Sequence, residues 1–305
     1  MTWTAWRLLA ALIGLLPAAA HAAEPGGVLP PGKSYVYKHS AGEPQMMEVY
    51  FPPTHDPAKA KVPGVLMFHG GGWNGGDLSQ FRFLCHYLAG RGLVAATVNY
   101  RMLGGKSGSK PPAGESKKRV CITDAKSAIR WFKQHAHELG IDPRRIITGG
   151  GSAGGHIAVL ATTNPGLNDP ADPKDIDTSV VAYLLFNPAF GPEDRTDAEV
   201  DALKHIPPHF APAIVCFGTD DPWKAGWDDL YSRLKELGNK TTDVQLAEGR
   251  PHGFFNRDPW RTVTTMAADR FLVRQGILQG ETTLTAPASG EELVPAAPAN
   301  SAEKK

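Results

Sequence analysis

Two hydrophobic patterns alternate along the chain. Short apolar runs bounded by turn residues occur at residues 46–51, 62–68, 93–98, 145–148, 180–186, 214–217 and 244–247. Most of the central ones are continuously apolar, the pattern of strands covered on both faces. Between them, residues 80–90, 122–139, 152–162, 227–237 and 263–275 carry apolar positions at helical spacing. In the second of these, Ala125, Ala128, Ile129 and Phe132 recur every three to four residues as a buried stripe. Gly140 stands just past its end, where a left-handed residue stops a helix. Strands alternating with helices predict an α/β architecture, a mostly parallel central sheet flanked by helices.

The pattern fails at both ends. Arg7, the apolar residues 8–16 and the small-x-small triplet Ala20-His21-Ala22 read as an export signal over 1–22, too short in its apolar part to span a bilayer. The mature chain is then expected in a periplasm or secreted, with no integral membrane association. Residues 23–33, rich in Gly and Pro, read as a leader. Residues 280–305 lack apolar periodicity and read as a disordered tail. One folded domain over 34–279 remains, of a length that suits a single large α/β unit.

Composition narrows the function classes. With 32 basic and 31 acidic residues the formal net charge is +1, which supplies no field for nucleic acid or an anionic surface. Its 33 glycines and 26 prolines imply many tight connections. The cysteines are Cys85, Cys121 and Cys216. Cys216 lies in an apolar run and reads as core, which leaves Cys85 and Cys121 as the candidate disulfide of an exported protein. His135 and His137 sit two apart on a helix and diverge, and no other His, Cys or carboxylate grouping suggests a metal; no cofactor is expected.

The chemistry concentrates in glycine-rich turns at strand ends. The strand at 145–148 runs into Gly149-Gly150-Gly151-Ser152-Ala153-Gly154-Gly155 and then a helix-forming stretch. This is a G-x-S-x-G elbow in its strand–turn–helix setting, with Ser152 as the candidate nucleophile. Side chains at Gly150 and Gly154 are expected to clash where strand and helix pass. A phosphate-binding loop would require a closing Lys-Ser/Thr pair, which is missing. Upstream, the strand at 62–68 empties into His69-Gly70-Gly71-Gly72-Trp73. Bare backbone here can bring N–H groups onto a developing oxyanion; Gly71 and Gly72 are the expected donors, with the N–H of Ala153. His69 reads as an organiser of this loop, and Gly70 as a weaker donor candidate.

An acid and a base are then needed in the order Ser, Asp or Glu, His. Gly218-Thr219-Asp220-Asp221-Pro222 and Gly249-Arg250-Pro251-His252-Gly253-Phe254 follow successive strands, at the carboxyl edge where open α/β sheets place their sites. His252 is the candidate base. Asp220 and Asp221 both remain open as its partner, since either can instead cap the next helix.

The loop His69–Trp73, Asn99-Tyr100-Arg101, Gly-Gly-Ser-Ala-Gly-Gly-His around Ser152, Gly-Thr-Asp-Asp-Pro and the His-Gly-Phe ending together resemble the acetyl esterase, feruloyl esterase and hormone-sensitive-lipase-like branch of the α/β hydrolases. The resemblance covers about residues 45–275. It implies an α/β-hydrolase fold and selects Asp221, which directly precedes the proline, as the catalytic acid. That branch often carries a helical cap; here only residues 187–212 offer an insertion, so a minimal cap is expected. Asp124 and Arg130 fit the helix before the elbow as structural residues.

These features imply a metal-independent serine esterase acting through an acyl-enzyme. A small-molecule or carbohydrate ester is the expected substrate, with short acyl groups, notably acetyl on a sugar such as xylan, preferred. Trp73, Tyr100, Trp223 and Phe254 are expected to line the pocket. The rival readings are a peptidase or amidase of the same fold, and a non-catalytic binding protein on a hydrolase scaffold.

Overall fold

The computed structural model describes residues 29–296, apart from 41 and 105–108. The proposed signal at 1–22 and most of the leader lie outside the described residues. Within them runs a nine-stranded sheet in the order β1-β2-β4-β3-β5-β6-β7-β8-β9. The strands are β1 (Lys33–Ser40), β2 (Glu43–Tyr50), β3 (Val62–Phe68), β4 (Val94–Val98), β5 (Ile141–Gly151), β6 (Ala182–Phe186), β7 (Ala213–Gly218), β8 (Thr242–Ala247) and β9 (Val294–Pro295). From β4 through β3 to β8 every neighbour is parallel; β1, β2 and β9 are antiparallel additions at the two edges. The helices are α1 (Arg82–Gly90), α2 (Lys117–Gln134), α3 (Ala136–Leu139), α4 (Ala153–Thr163), α5 (Ala202–His205), α6 (Lys224–Glu236) and α7 (Trp260–Arg274). Gly140 ends α3 in the left-handed conformation, as its position predicts.

Alternate residues of β3 serve opposite faces of the sheet. Val65 and Met67 join a core with α1 and α7, whereas Leu66 and Phe68 join one with α2 and α4. This division overturns the Cys85–Cys121 disulfide. Cys85 belongs to the first core and Cys121 to the second; the sheet stands between them, and all three cysteines are buried free thiols. Helix α4 is buried along nearly its whole length, and its first turn runs against the end of β3. A Cβ at Gly154 would collide with the Phe68 carbonyl, and one at Gly150 would meet the backbone of Gly154 at 2.5 Å.

The expectation of disorder from residue 280 onward does not hold for 280–296. Arg91 donates to the carbonyls of Gln279 and Gly280, and Tyr87 pairs with Thr282 at 2.9 Å. The chain then reaches β8, where β9 covers the edge and the Ala296 N–H binds the Val244 carbonyl. Its few apolar residues, such as Leu293, pack singly and therefore carry no period. The insertion at 187–212 forms a 3-10 turn at Pro192–Thr196 and the single-turn α5. It is tied down by Arg119–Asp197 at 2.6 Å and by Lys118–Asp194, and buries Phe190, Val200 and Phe210 near Trp227. Asp124 accepts from Lys38 and Arg101, and Arg130 from α2 pairs with Asp172, the structural duties their positions suggest.

Candidate active site

Ser152 sits at the junction of β5 and α4 with φ 53° and ψ −122°, a conformation that L-residues rarely adopt. Its surroundings impose it. The Ser152 N–H is held by the Phe186 carbonyl at 3.0 Å, and its own carbonyl accepts from Gly155, His156 and Ala189. His252, after β8, places Nε2 2.8 Å from Ser152 Oγ and Nδ1 2.7 Å from Asp221 Oδ2. The carboxylate is buried while the imidazole stays partly open to the cleft. Asp221 also accepts the Trp223 N–H through Oδ1 at 2.9 Å, so one carboxylate both caps a turn and faces the histidine. Asp220 is exposed and only approaches the Thr219 hydroxyl.

The loop after β3 coils through positive φ at Gly71 (124°), Gly72 (63°) and Trp73 (61°). Gly71 and Gly72 border the same cleft as Ser152 and His252. The Ala153 N–H leads α4, where no carbonyl of the helix can take it. The Gly70 N–H is occupied, donating to Gln80 Oε1 at 2.6 Å. Lys117 Nζ clamps the Gly72 carbonyl at 3.2 Å. Beneath the loop the buried His69 bonds the Gly70 carbonyl through Nδ1 at 2.8 Å and stacks on Tyr100, with ring centroids 4.4 Å apart. Burial lowers the His69 pKa below its ordinary value, so the ring is a neutral organiser of the loop.

The cleft encloses about 360 Å³ and is lined by Trp73, Trp223, Phe255, Ala189, the glycines and the carboxamides of Gln80, Asn187 and Asn256. Of the four expected pocket residues, Trp73 and Trp223 are there. Their rings meet edge to face at 6.3 Å, and Lys118 Nζ stands over the Trp73 ring at 3.9 Å from its centroid. Tyr100 is not in the lining: it is fully buried under the loop, where its hydroxyl donates to the His69 carbonyl at 2.7 Å. Phe254 is not there either. The 3-10 turn Phe254–Asn256 points it into the core against Trp260 and presents Phe255 and Asn256 to the cleft instead.

Sequence reasoning missed Gln80, Asn187, Phe255 and Asn256. Phe255 and Asn256 follow His252 so closely that proximity was a usable signal. Asn187 stands at the carboxyl end of a buried strand, a position that favours function. Nothing distinguished Gln80 from any other helix-start residue. Among the described residues no group of three or more His, Cys, Asp or Glu is placed to hold a metal, and no helix is long and apolar enough to cross a membrane.

Comparison with known proteins adds three relationships. The family model BD-FAE matches residues 47–222, more than half the chain. The Mycobacterium tuberculosis esterase LipI is 27% identical over 262 residues, covering 74% of this chain and 75% of that protein. Esterase 2 of Thermogutta terrifontis is 34% identical in its apo form, with a TM-score of 0.73 over 83% of this chain and 97% of that one.

Proposed function

The chain belongs to the BD-FAE family of α/β-hydrolases and is a serine carboxylesterase, and from that premise we propose that it removes short acyl groups, acetyl foremost, from carbohydrate esters such as acetylated xylan, with Ser152, His252 and Asp221 as its triad. The observation that carries this reading is the cleft itself. Bare glycine backbone lies near Ser152, and the partly exposed Trp223, backed by the buried Trp73, shares the lining with the carboxamides of Gln80, Asn256 and the buried Asn187. Indole faces against sugar C–H surfaces and amides against hydroxyls are the chemistry that holds a neutral polyol. The insertion at 187–212 lends only Asn187 and Ala189 to the lining, which leaves the mouth open to a bulky alcohol. The Thermogutta esterase has been captured with propionate and with butyrate bound, which supports a short acyl group here.

In the reaction, Ser152 Oγ attacks the ester carbonyl as its proton passes to His252 Nε2. The N–H groups of Gly71, Gly72 and Ala153 receive the oxyanion, and Asp221 holds the imidazole with Nδ1 protonated. The C–O bond to the alcohol breaks, and His252 returns the proton to that oxygen. Water then attacks the acyl-Ser152 ester, giving its proton to His252, and the carboxylic acid leaves as Ser152 regains a proton.

The test is a series of p-nitrophenyl esters followed by acetylated xylan. Turnover should be highest for acetate to butyrate, fall steeply beyond them, and release acetate from the polymer. Best activity on long acyl chains, or none on the polysaccharide, overturns the substrate assignment. We also place the enzyme in the periplasm or outside the cell, on the strength of residues 1–22. Export is checked by N-terminal sequencing of the fractionated protein, expected to begin at Ala23; a retained Met1 overturns it.

A further inference from the structure

The oxyanion loop and the histidine loop are joined by a line of uncharged amides. The Gly70 N–H donates to Gln80 Oε1 at 2.6 Å, and Gln80 Nε2 donates to Asn256 Oδ1 at 2.8 Å. Asn256 Nδ2 donates in turn to the Gly253 carbonyl at 2.9 Å. At the same residue, the Gly253 N–H donates to Asn187 Oδ1 at 3.1 Å, and the Asn187 N–H is held by the Cys216 carbonyl at 2.7 Å. The polarity of the line is forced. Turning the Gln80 amide over would aim its NH2 at the Gly70 N–H, and turning Asn256 would face its oxygen to the Gly253 carbonyl. Asn187 is fully buried with φ 39°, a strained backbone that persists only where its surroundings hold it.

We propose that Gln80 is a positioning residue which, with Asn256, straps the oxyanion loop to His252. The inference rests on the ester-hydrolase reading. Acyl transfer needs the N–H donors on the carbonyl oxygen and the imidazole on Oγ at the same instant. Those groups stand on loops far apart in the chain, and a misplacement of about 1 Å can cost about 10²-fold in rate. The strap ties the two loops directly across the cleft. It also engages the Gly70 N–H, so that this amide does not compete with Gly71 and Gly72 for the oxyanion. Being neutral, it places no charge beside His252. Asn256 lies at the exposed rim, so the strap strengthens when a bound ester displaces water from the cleft.

The test compares wild type with Gln80→Met, Gln80→Glu, Asn256→Ala and the double variant Gln80→Met/Asn256→Ala. Readouts are kcat and KM on p-nitrophenyl acetate, the rate of Ser152 labelling by a fluorophosphonate, and Tm. Gln80→Met and Asn256→Ala should each lower kcat and labelling roughly 10- to 100-fold with KM held within about twofold. Tm should stay within a few degrees, and the double variant should be little worse than either single change, because one connection is being cut twice. Gln80→Glu keeps the acceptor for Gly70 and loses the donor to Asn256, so it should fall between wild type and Gln80→Met. Unchanged kcat in the single variants, multiplying losses in the double, or loss confined to KM or Tm overturns the proposal. A wild-type protein that labels but turns over no ester overturns the esterase reading alone, and the labelling rates then decide the strap.

Discussion

Asp221 reaches His252 Nδ1 at 2.7 Å from a fully buried carboxylate, while its other oxygen binds the Trp223 amide. The carboxylate is thereby fixed at both oxygens, and the imidazole it faces is held with Nε2 toward Ser152. Asp220 shares neither contact.

Asp221→Asn should therefore lower kcat by about 10³- to 10⁴-fold, because the amide favours the wrong imidazole tautomer. Asp220→Asn should stay within about twofold of wild type. Hydrolysis of p-nitrophenyl acetate measures both; comparable losses from the two changes would refute the assignment.

Two neighbouring glycines of the oxyanion loop should respond differently to alanine. At Gly71 the new Cβ would strike the Gly75 carbonyl at φ 124°, so the loop must open and kcat should drop about 10²- to 10³-fold. At Gly72 the nearest atom is Asn74 Oδ1 at 3.6 Å, which leaves only left-handed strain of roughly 1–2 kcal/mol. Gly72→Ala should lower Tm more than it lowers kcat.

All three cysteines should resist iodoacetamide in the native protein. Burial pushes each thiol pKa up, so the reactive thiolate is scarce as well as inaccessible. Mass spectrometry should find three alkylated cysteines after unfolding without reductant; alkylation of only one would restore the disulfide.

Acid should weaken the fold partly through His69. Its folded pKa is depressed by burial below the ordinary value of about 6.5. The stability it contributes is therefore complete above that unfolded value and is lost as pH falls through the folded one. Urea unfolding at pH 7 and pH 5 should show a smaller loss for His69→Gln than for wild type. An equal loss in both proteins would remove His69 from the account.

Ending the chain at residue 279 should lower stability by about 0.5–3 kcal/mol, since it uncovers the β8 edge and releases Tyr87 from Thr282. The specific activity of the folded fraction should be unchanged. Calorimetry beside a p-nitrophenyl acetate assay separates the two effects.

Strands β3 to β7 were legible because their apolar runs are buried on both faces, and β2 and β8 because short apolar runs survive on strands that are only partly covered. Strand β1 was not: half of its residues face solvent, and it pairs only with β2, so no apolar run announces it. Strand β9 is two exposed residues whose existence depends on the β8 edge. In the site, Ser152, Gly71, Gly72 and His252 were readable because each stands in a turn beside glycines that the backbone itself demands. Gln80 and Asn256 carry no such mark; carboxamides are common, and theirs act only through partners distant in the chain.

By itself, then, the sequence determined the alternation of strand and helix, the glycine turns at strand ends and the order of nucleophile, acid and base. These are local matters of steric freedom and of which residue types can do the chemistry. Tertiary structure alone decided where side chains point and what they meet. It packed Phe254 against Trp260 and set the equally buried Phe255 in the cleft wall, sank Tyr100 beneath the loop that adjoins it, and set Cys85 and Cys121 on opposite faces of one sheet. Those outcomes follow from close packing of segments far apart in the chain, which no local pattern encodes.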